Sequence, residues 1–371
     1  MKLDNKENGN RSPYFSIVIP AFNVNVQYFT ECINSLIGQS FSDYEVIIVD
    51  DGSEKTYSLA YDDAAAKDER IRVIHKENQG VSIARNVGVK AARGKWISFV
   101  DADDWMEKDA LKTIHYHLCN QNCDMLMFRA SRDSADSSVD MDYGLKTGTL
   151  YDFGDYETKR FFYHRVMQVP NAKKKRLEPI YYSWDKVYSR LFLLDNELEF
   201  PAGVAKSEDK IFIALCFEKA KKLYYIGNTL YHYRMNDESV CHSYSAKMVV
   251  QRQMLADILL PMAKRMDAEL SVISGKENSQ SIYDECERFI FGIISDVLIL
   301  QFYHKDNPQK NKRRKEALVF LHTEPFSVVI DTMPNSRLSK SARLKKWLLK
   351  NDMVTTFYYL YYLEKCINSR K

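Results

Sequence analysis

The chain has 371 residues, of which 45% are hydrophobic and 28% charged, and a net charge of +3. That length predicts two domains, each able to bury a core, and the composition is that of a soluble globular protein. The small charge excess does not by itself argue for nucleic acid as a partner, and no recognised nucleic-acid module is present. Seven scattered cysteines without a Cys-x-x-Cys pair argue for reduced thiols rather than a disulfide framework or a zinc site. Met1 to Pro13 holds no apolar signal segment, and no run approaches the ~20 apolar residues that span a bilayer, so a cytoplasmic location is expected.

Phe15 to Ile19 is a β-branched run ended by Pro20 and reads as a buried strand. Val26, Phe29, Ile33, Leu36 and Ile37 then recur at three and four residues, as one face of a helix over a sheet. Glu45 to Val49 is the second strand and empties into Asp50-Asp51-Gly52-Ser53. Ile71 to Ile74 is the third, Val81 to Ala92 a helix with Gly94 closing it, and Lys95 to Val100 the fourth strand, which stops at Asp101-Ala102-Asp103-Asp104. Strands alternating with helices predict βαβ units and a mostly parallel sheet, whose ligands bind beyond the carboxyl ends of the strands. Pro20-Ala21-Phe22-Asn23, Asp50-Asp51 and Asp101 to Asp104 all lie at such ends.

Met125 to Phe128 predicts a further strand, and periodicity fades from Ser131 to Tyr143. A basic run, Lys173 to Arg176, precedes Tyr181-Tyr182-Ser183-Trp184. Leu223 to Ile226 and Thr229 to Tyr233 read as two short strands about Gly227-Asn228. From Tyr244 the helical pattern dominates, and Ile293 to Leu300 reads as a buried helix. The boundary is placed near residue 240, giving 1–240 as an α/β domain and 241–371 as a mainly helical region.

Clustered carboxylates closing an apolar strand suit a hard divalent cation such as Mg²⁺ or Mn²⁺, or else a solvated acidic turn. The company they keep decides between the two. Phe15 to Asn23, Tyr44 to Ser53, Asn78 to Gly88, Phe99 to Trp105, and Glu208-Asp209 followed by Ile211-Phe212 together resemble the inverting glycosyltransferases of family 2, which have the GT-A fold. The resemblance covers roughly residues 14 to 235. The helical remainder resembles, more loosely, that of bacterial capsule, O-antigen and exopolysaccharide transferases.

The resemblance implies transfer of a sugar from a UDP-sugar to a hydroxyl of a saccharide acceptor, lipid-linked in surface polysaccharide synthesis, with Mn²⁺ or Mg²⁺ as cofactor. It implies nucleotide contacts at Pro20, Ala21, Asn23, Asp50, Asp51, Gly80, Arg85, Asp101 and Ala102. Asp51 would accept from the uracil N–H, while Asp50 would meet the ribose or hold its loop. Ser82 would cap the helix whose start carries Gly80 and Arg85, and Arg85 would meet the diphosphate or pair with an aspartate. Asp103 would bind the cation with Asp101 assisting, and His232 or His242 would complete its shell unless His232 is a structural histidine. Asp104 would be the N-cap of the next helix.

Asp209 would be the base that takes the acceptor proton, and both it and Glu208 also suit the positive end of a helix. Glu208, Trp105 and Trp184 are acceptor-side candidates, with core packing the alternative for both tryptophans. Arg234 would reach the diphosphate. Two other classes compete. A nucleotidyltransferase that makes activated sugars should open on a glycine-rich phosphate loop, which Pro20 to Asn23 is not. A non-catalytic scaffold would have no use for Asp103 and Asp209.

Residues 337 to 371 hold nine lysines and arginines against two acids, a local +7. Leu344, Trp347, Leu348, Phe357, Tyr358, Leu360, Tyr361 and Leu363 lie between them, and 310 to 315 adds a second basic patch. This pattern suits an amphipathic segment on an anionic membrane, or a solvated basic face with its aromatics packed inward.

Overall fold

β-branched runs form the strands and the three-four apolar spacing forms the helices. In the computed structural model, which describes residues 12–168, 177–235, 244–275 and 281–368, the first half of the chain runs β1 (Phe15–Ala21), α1 (Val26–Ile37), β2 (Tyr44–Asp50), α2 (Lys55–Lys67), β3 (Ile71–His75), α3 (Val81–Ala91), β4 (Trp96–Phe99), β5 (Trp105–Met106), α4 (Ala110–Leu118), β6 (Met125–Asp133), β7 (Ser138–Asp140) and β8 (Thr149–Asp152). There follow α5 (Tyr156–Met167), β9 (Lys186–Ser189), α6 (Arg190–Asp195), α7 (Glu208–Lys219) and β10 (Lys222–Arg234). The remainder is helical: α8 (Met248–Ser274), α9 (Ile282–Val297), α10 (Arg313–Leu321), α11 (Phe326–Thr332), α12 (Lys340–Lys350) and α13 (Val354–Asn368).

The strands form a single sheet in the order β3-β2-β1-β4-β9-β6-β10-β5, with β7 added to β6 and β8 to β10. β1 to β4 are mutually parallel where they pair, so Ala21, Asp50, His75 and Phe99 end at one edge. β9 runs antiparallel to both β4 and β6, which makes the sheet mixed. Every residue of β2 is buried, as expected of a strand covered on both faces. α3 lies close over β1 because Gly88 has no side chain. A Cβ there would stand 2.2 Å from a methyl of Val18. The two short strands expected between Leu223 and Tyr233 are one strand, β10, whose register against β6 shifts between Tyr225 and Tyr231.

The chain divides into two compact units. Unit 1 comprises Met1–Gly154, Tyr182–Ala202 and Lys219–Met235 and contains the whole sheet; unit 2 comprises Asp155–Tyr181, Gly203–Glu218 and Asn236–Lys371. Unit 2 is helical. Its core has Leu255, Leu259 and Met266 of α8 and Ile290, Ile294 and Val297 of α9, all fully buried. In the same unit Glu269 of α8 accepts from Lys159 and Tyr163 of α5. A mixed α/β region followed by a mainly helical one is the architecture that the sequence predicts.

Candidate active site

Two acidic turns stand at the edge where the parallel strands end. The first follows β2. Gly52 takes φ +79°, a conformation that favours glycine, and bends the chain back. Asp50 is buried, and its carboxylate accepts from Ser53 N (2.9 Å), Ser58 Oγ (2.9 Å) and His75 Nδ1 (2.8 Å). Burial alone would raise its pKa, but the Ser53, His75 and Ser58 bonds outweigh that and hold it below the usual carboxylate range. Conversely the bond to Asp50 raises His75.

Asp51 donates its amide to Ala21 O (2.8 Å) and accepts from Lys76 Nζ (2.5 Å), Gln79 N (3.0 Å) and Gly80 N (2.7 Å). Asn23 donates from its amide to Ser53 Oγ and accepts Glu54 N at 2.8 Å. Pro20 and Ala21 are the last residues of β1. These bonds let Asp50 hold its loop, one of the two alternatives that the sequence left open. For Asp51, three of about four acceptor positions on a carboxylate are taken within the chain. Gly80, at φ +94°, is the N-cap residue of α3, and no side chain caps that helix. The expectation of Ser82 as cap is corrected: Ser82 lies inside the first turn, buried.

The second turn follows β4. Asp101 N donates to Tyr231 Oη (3.1 Å), and Asp101 Oδ1 accepts from Arg85 Nη2 (2.9 Å), so this buried arginine pairs with an aspartate. Arg85 also stands over the Phe200 ring at 5.1 Å. Asp104 is not a helix N-cap. The chain enters β5 directly, Asp109 precedes α4, and Asp104 is buried, accepting from Tyr231 Oη (2.6 Å) and Arg234 N (2.8 Å). Burial, then Asp103 and Asp101, push its pKa well up.

Asp103 contrasts with its neighbours, and Ala102 between it and Asp101 is buried. Among the described residues no side chain of another residue hydrogen-bonds the Asp103 carboxylate. Burial and then the Asp101 charge raise it from 3.8 to about 6, and Arg234 only partly offsets this. Arg234 itself donates from Nε to Asp103 O (2.8 Å) and from Nη2 to Glu31 (2.6 Å), and lies over the Tyr28 and Trp105 rings.

The geometry opposes two of the expected roles. His232 has both ring nitrogens engaged: Nδ1 lies 2.9 Å from Ser131 Oγ and 3.0 Å from Asp133, and Nε2 lies 2.9 Å from Glu107. Its ring also stacks on Trp105 at 5.0 Å, so His232 is held as a structural histidine and has no nitrogen aimed at a metal. His242 lies outside the described residues. Trp184 is 2% exposed and stacks on Tyr182 (4.7 Å) and Tyr231 (4.6 Å), which makes it core rather than an acceptor wall. Trp105 is half-buried.

In unit 2, Glu208 and Asp209 occupy the first turn of α7. The two residues before them, Lys206 and Ser207, both have positive φ (63° and 77°), and buried Arg252 donates to Lys206 O at 2.9 Å. Side chains that are not glycine adopt that conformation rarely, and adjacent strained residues cluster at functional sites.

For a divalent cation, unit 1 offers Asp101 and Asp103. Among the described residues no group of three or more His, Cys, Asp or Glu side chains is arranged to hold a metal. Two carboxylates do fit a cation that binds together with a nucleotide, since Mg²⁺ takes one or two carboxylates and completes its shell with phosphate oxygens and water. Sequence reasoning missed Lys76, whose signal was a cation directly after the third strand. It also missed Tyr231, for which one aromatic among many gave no signal.

Residues 16–170 match the family model described as glycosyl transferase family 2. The glycosyltransferase EpsJ of Bacillus subtilis is 32% identical over 228 residues, 62% of this chain and 63% of that protein. The putative glycosyltransferase EpsH of the same organism is 28% identical over 239 residues, 64% and 65% respectively, so the chain spans a little under two thirds of these relatives. The crystal structure of Staphylococcus aureus TarS 1–349 in complex with UDP-GlcNAc matches with a TM-score of 0.58 at 18% identity, over 93% of this chain and 90% of that one. The likeness is one of fold. The family match covers the stretch that holds both acidic turns at the sheet edge.

Proposed function

We propose that this chain is a family 2 glycosyltransferase, which moves a sugar from a UDP-sugar to a hydroxyl of a saccharide acceptor with inversion at the anomeric carbon. The observation that carries the donor half is the Asp101–Asp103 turn, where one carboxylate is raised to about 6 by burial and a neighbouring like charge. Such a site favours a cation, and a nucleoside diphosphate brings the remaining ligands. Donor choice follows the TarS structures solved with UDP-GlcNAc and with UDP. Asp103 and Asp101 would hold Mn²⁺ or Mg²⁺, which supplies charge neutralisation at the departing diphosphate. Arg85 keeps Asp101 in place, and the Asp51 network sets the loop that carries Gly80. A nucleotidyltransferase reading finds no support in the Pro20–Asn23 turn.

On the acceptor side, Asp209 takes the hydroxyl proton. The freed oxygen forms a bond to C1 from the face opposite the diphosphate, the C1–O bond to phosphate breaks, and UDP leaves with that electron pair. The support is the family resemblance of Glu208-Asp209 and the strained pair that fixes the start of α7. A lipid-linked saccharide is the proposed acceptor, in bacterial surface polysaccharide synthesis, which would put the enzyme on the inner face of the cell membrane.

The test is turnover of a UDP-sugar panel, with product configuration read by NMR. Asp209→Asn should keep UDP and Mn²⁺ affinity near wild type while lowering kcat by ~10²–10⁴, the usual worth of general-base assistance. Near-wild-type kcat in that variant would remove Asp209 from the mechanism. A product that keeps the donor's anomeric configuration would end the inverting assignment altogether.

A further inference from the structure

The outer face of α12 breaks the rule by which a surface helix sends its apolar residues inward. Leu348 and Leu349 do point inward and are buried. Leu344 and Trp347, however, are 45% and 55% exposed. At three- and four-residue spacing they share a stripe with Lys340, Arg343 and Lys350, all exposed. α12 contains five basic residues and no acid. α13 packs against it through Ser341 and Lys345, both bonded to Glu364, and buries Val354 and Phe357. α13 also leaves Tyr359, Tyr362 and Leu363 exposed, again at helical spacing.

The structure also joins the second basic patch to this helical layer. Arg313, at the start of α10, stands 4.8 Å over the Tyr303 ring, which in turn stacks on Tyr358 of α13 at 4.8 Å. Tyr303 Oη meets Thr355 of α13 at 3.0 Å. The exposed residues Lys312, Arg314 and Lys315 are thereby carried beside α13.

We infer that α12, with α13 and the start of α10, is a docking surface for an anionic phospholipid bilayer. Charge complementarity selects the occupant: a basic face studded with exposed Trp, Leu and Tyr suits a layer of acidic headgroups over acyl chains, where tryptophan and tyrosine settle at the boundary. No helix among the described residues is long and apolar enough to cross a membrane, so contact of this kind is peripheral. The surface gives the proposed lipid-linked acceptor a place to be met. It stands on its own residues, however, and does not depend on the reaction.

The experiment uses the full chain and sedimentation with phosphatidylcholine vesicles, with and without about a third phosphatidylglycerol. Binding should require the anionic lipid and weaken as salt is raised. Lys340→Glu with Arg343→Glu should lower partitioning about 30-fold or more, since each basic residue near such a surface is worth roughly a factor of five. Leu344→Glu with Trp347→Glu should abolish it. UDP binding, measured on the same preparations, reports folding and should be unchanged, which separates failure of the surface from failure of the donor site. Vesicle binding by both variants at the wild-type level would overturn the inference. So would equal binding to neutral vesicles, or a lipid-independent dimer that Trp347→Glu dissociates, which would give the face to a second copy of the chain.

Discussion

The two acidic turns at the sheet edge look alike in sequence and differ at one carboxylate, that of Asp103. Asp50 and Asp51 accept six hydrogen bonds between them from residues of their own neighbourhood, and Asp50 is held below its ordinary pKa. Asp103, at the other turn, has burial and Asp101 against it and is raised to about 6. A carboxylate that is fully satisfied internally is scaffold. One that is desolvated beside a like charge stores an unfavourable interaction that a bound cation would relieve. The first turn builds the loop, and the second is where ligand chemistry is expected.

The largest effect that can test this contrast is a reciprocal pair of substitutions. Asp103→Asn should cut Mn²⁺-dependent turnover by at least ~10² while leaving stability unchanged or raised by ~1–3 kcal/mol, since a repelled, half-buried charge is removed. Asp50→Asn should do the reverse. It weakens the bonds from Ser53, Ser58 and His75 and should cost ~2–3 kcal/mol in urea unfolding. The contrast breaks if Asp103→Asn unfolds the protein, or if Asp50→Asn is as stable as wild type.

The strand ends were legible in the sequence because β-branched runs stopping at acids need no long-range information. Which acid is scaffold was not legible, because the partners lie far along the chain. Asp104 looks like a helix cap beside Asp103, and only the fold brings Tyr231, 127 residues away, onto its carboxylate. Trp184 next to Tyr182 looks like a sugar platform. Alternation along β10 puts Tyr231 and Tyr233 on one face, however, and the indole stacks inside on both. The positive φ of Lys206 and Ser207 leaves no mark in residue type at all, since neither is a residue that seeks that conformation.

A finer test uses pH in the presence of chelator. A carboxyl whose folded pKa is raised adds stability that is complete below its unfolded value of 3.8 and is lost as pH rises through about 6. One whose folded pKa is lowered adds stability that is present at neutral pH and is lost as pH falls below the ordinary range. The advantage of Asp103→Asn over wild type should therefore be full above about pH 6 and fade towards about pH 4. The deficit of Asp50→Asn should be full at neutral pH and shrink below about pH 4. Parallel profiles for the two variants would mean the turns are electrostatically equivalent.

The smallest expected effect belongs to His232, and its smallness is the point. A third metal ligand lost from a cation site would cost metal affinity heavily, as even outer-shell partners cost 10–100-fold. The ring instead bridges Glu107 on one side and Ser131 with Asp133 on the other, 15% exposed, and lies flat against Trp105. His232→Gln preserves much of that volume and can keep one of the hydrogen bonds. It should lower stability by only ~1 kcal/mol, because Glu107 is half exposed and regains water. Mn²⁺ affinity, titrated with UDP present, should stay within about twofold of wild type, since neither ring nitrogen is aimed at Asp103. A tenfold loss of Mn²⁺ affinity with stability intact would return His232 to the metal shell. It would also mean that β10, which already bonds Asp101 and Asp104 through Tyr231 and Arg234, supplies Asp103 with a partner as well when the nucleotide binds.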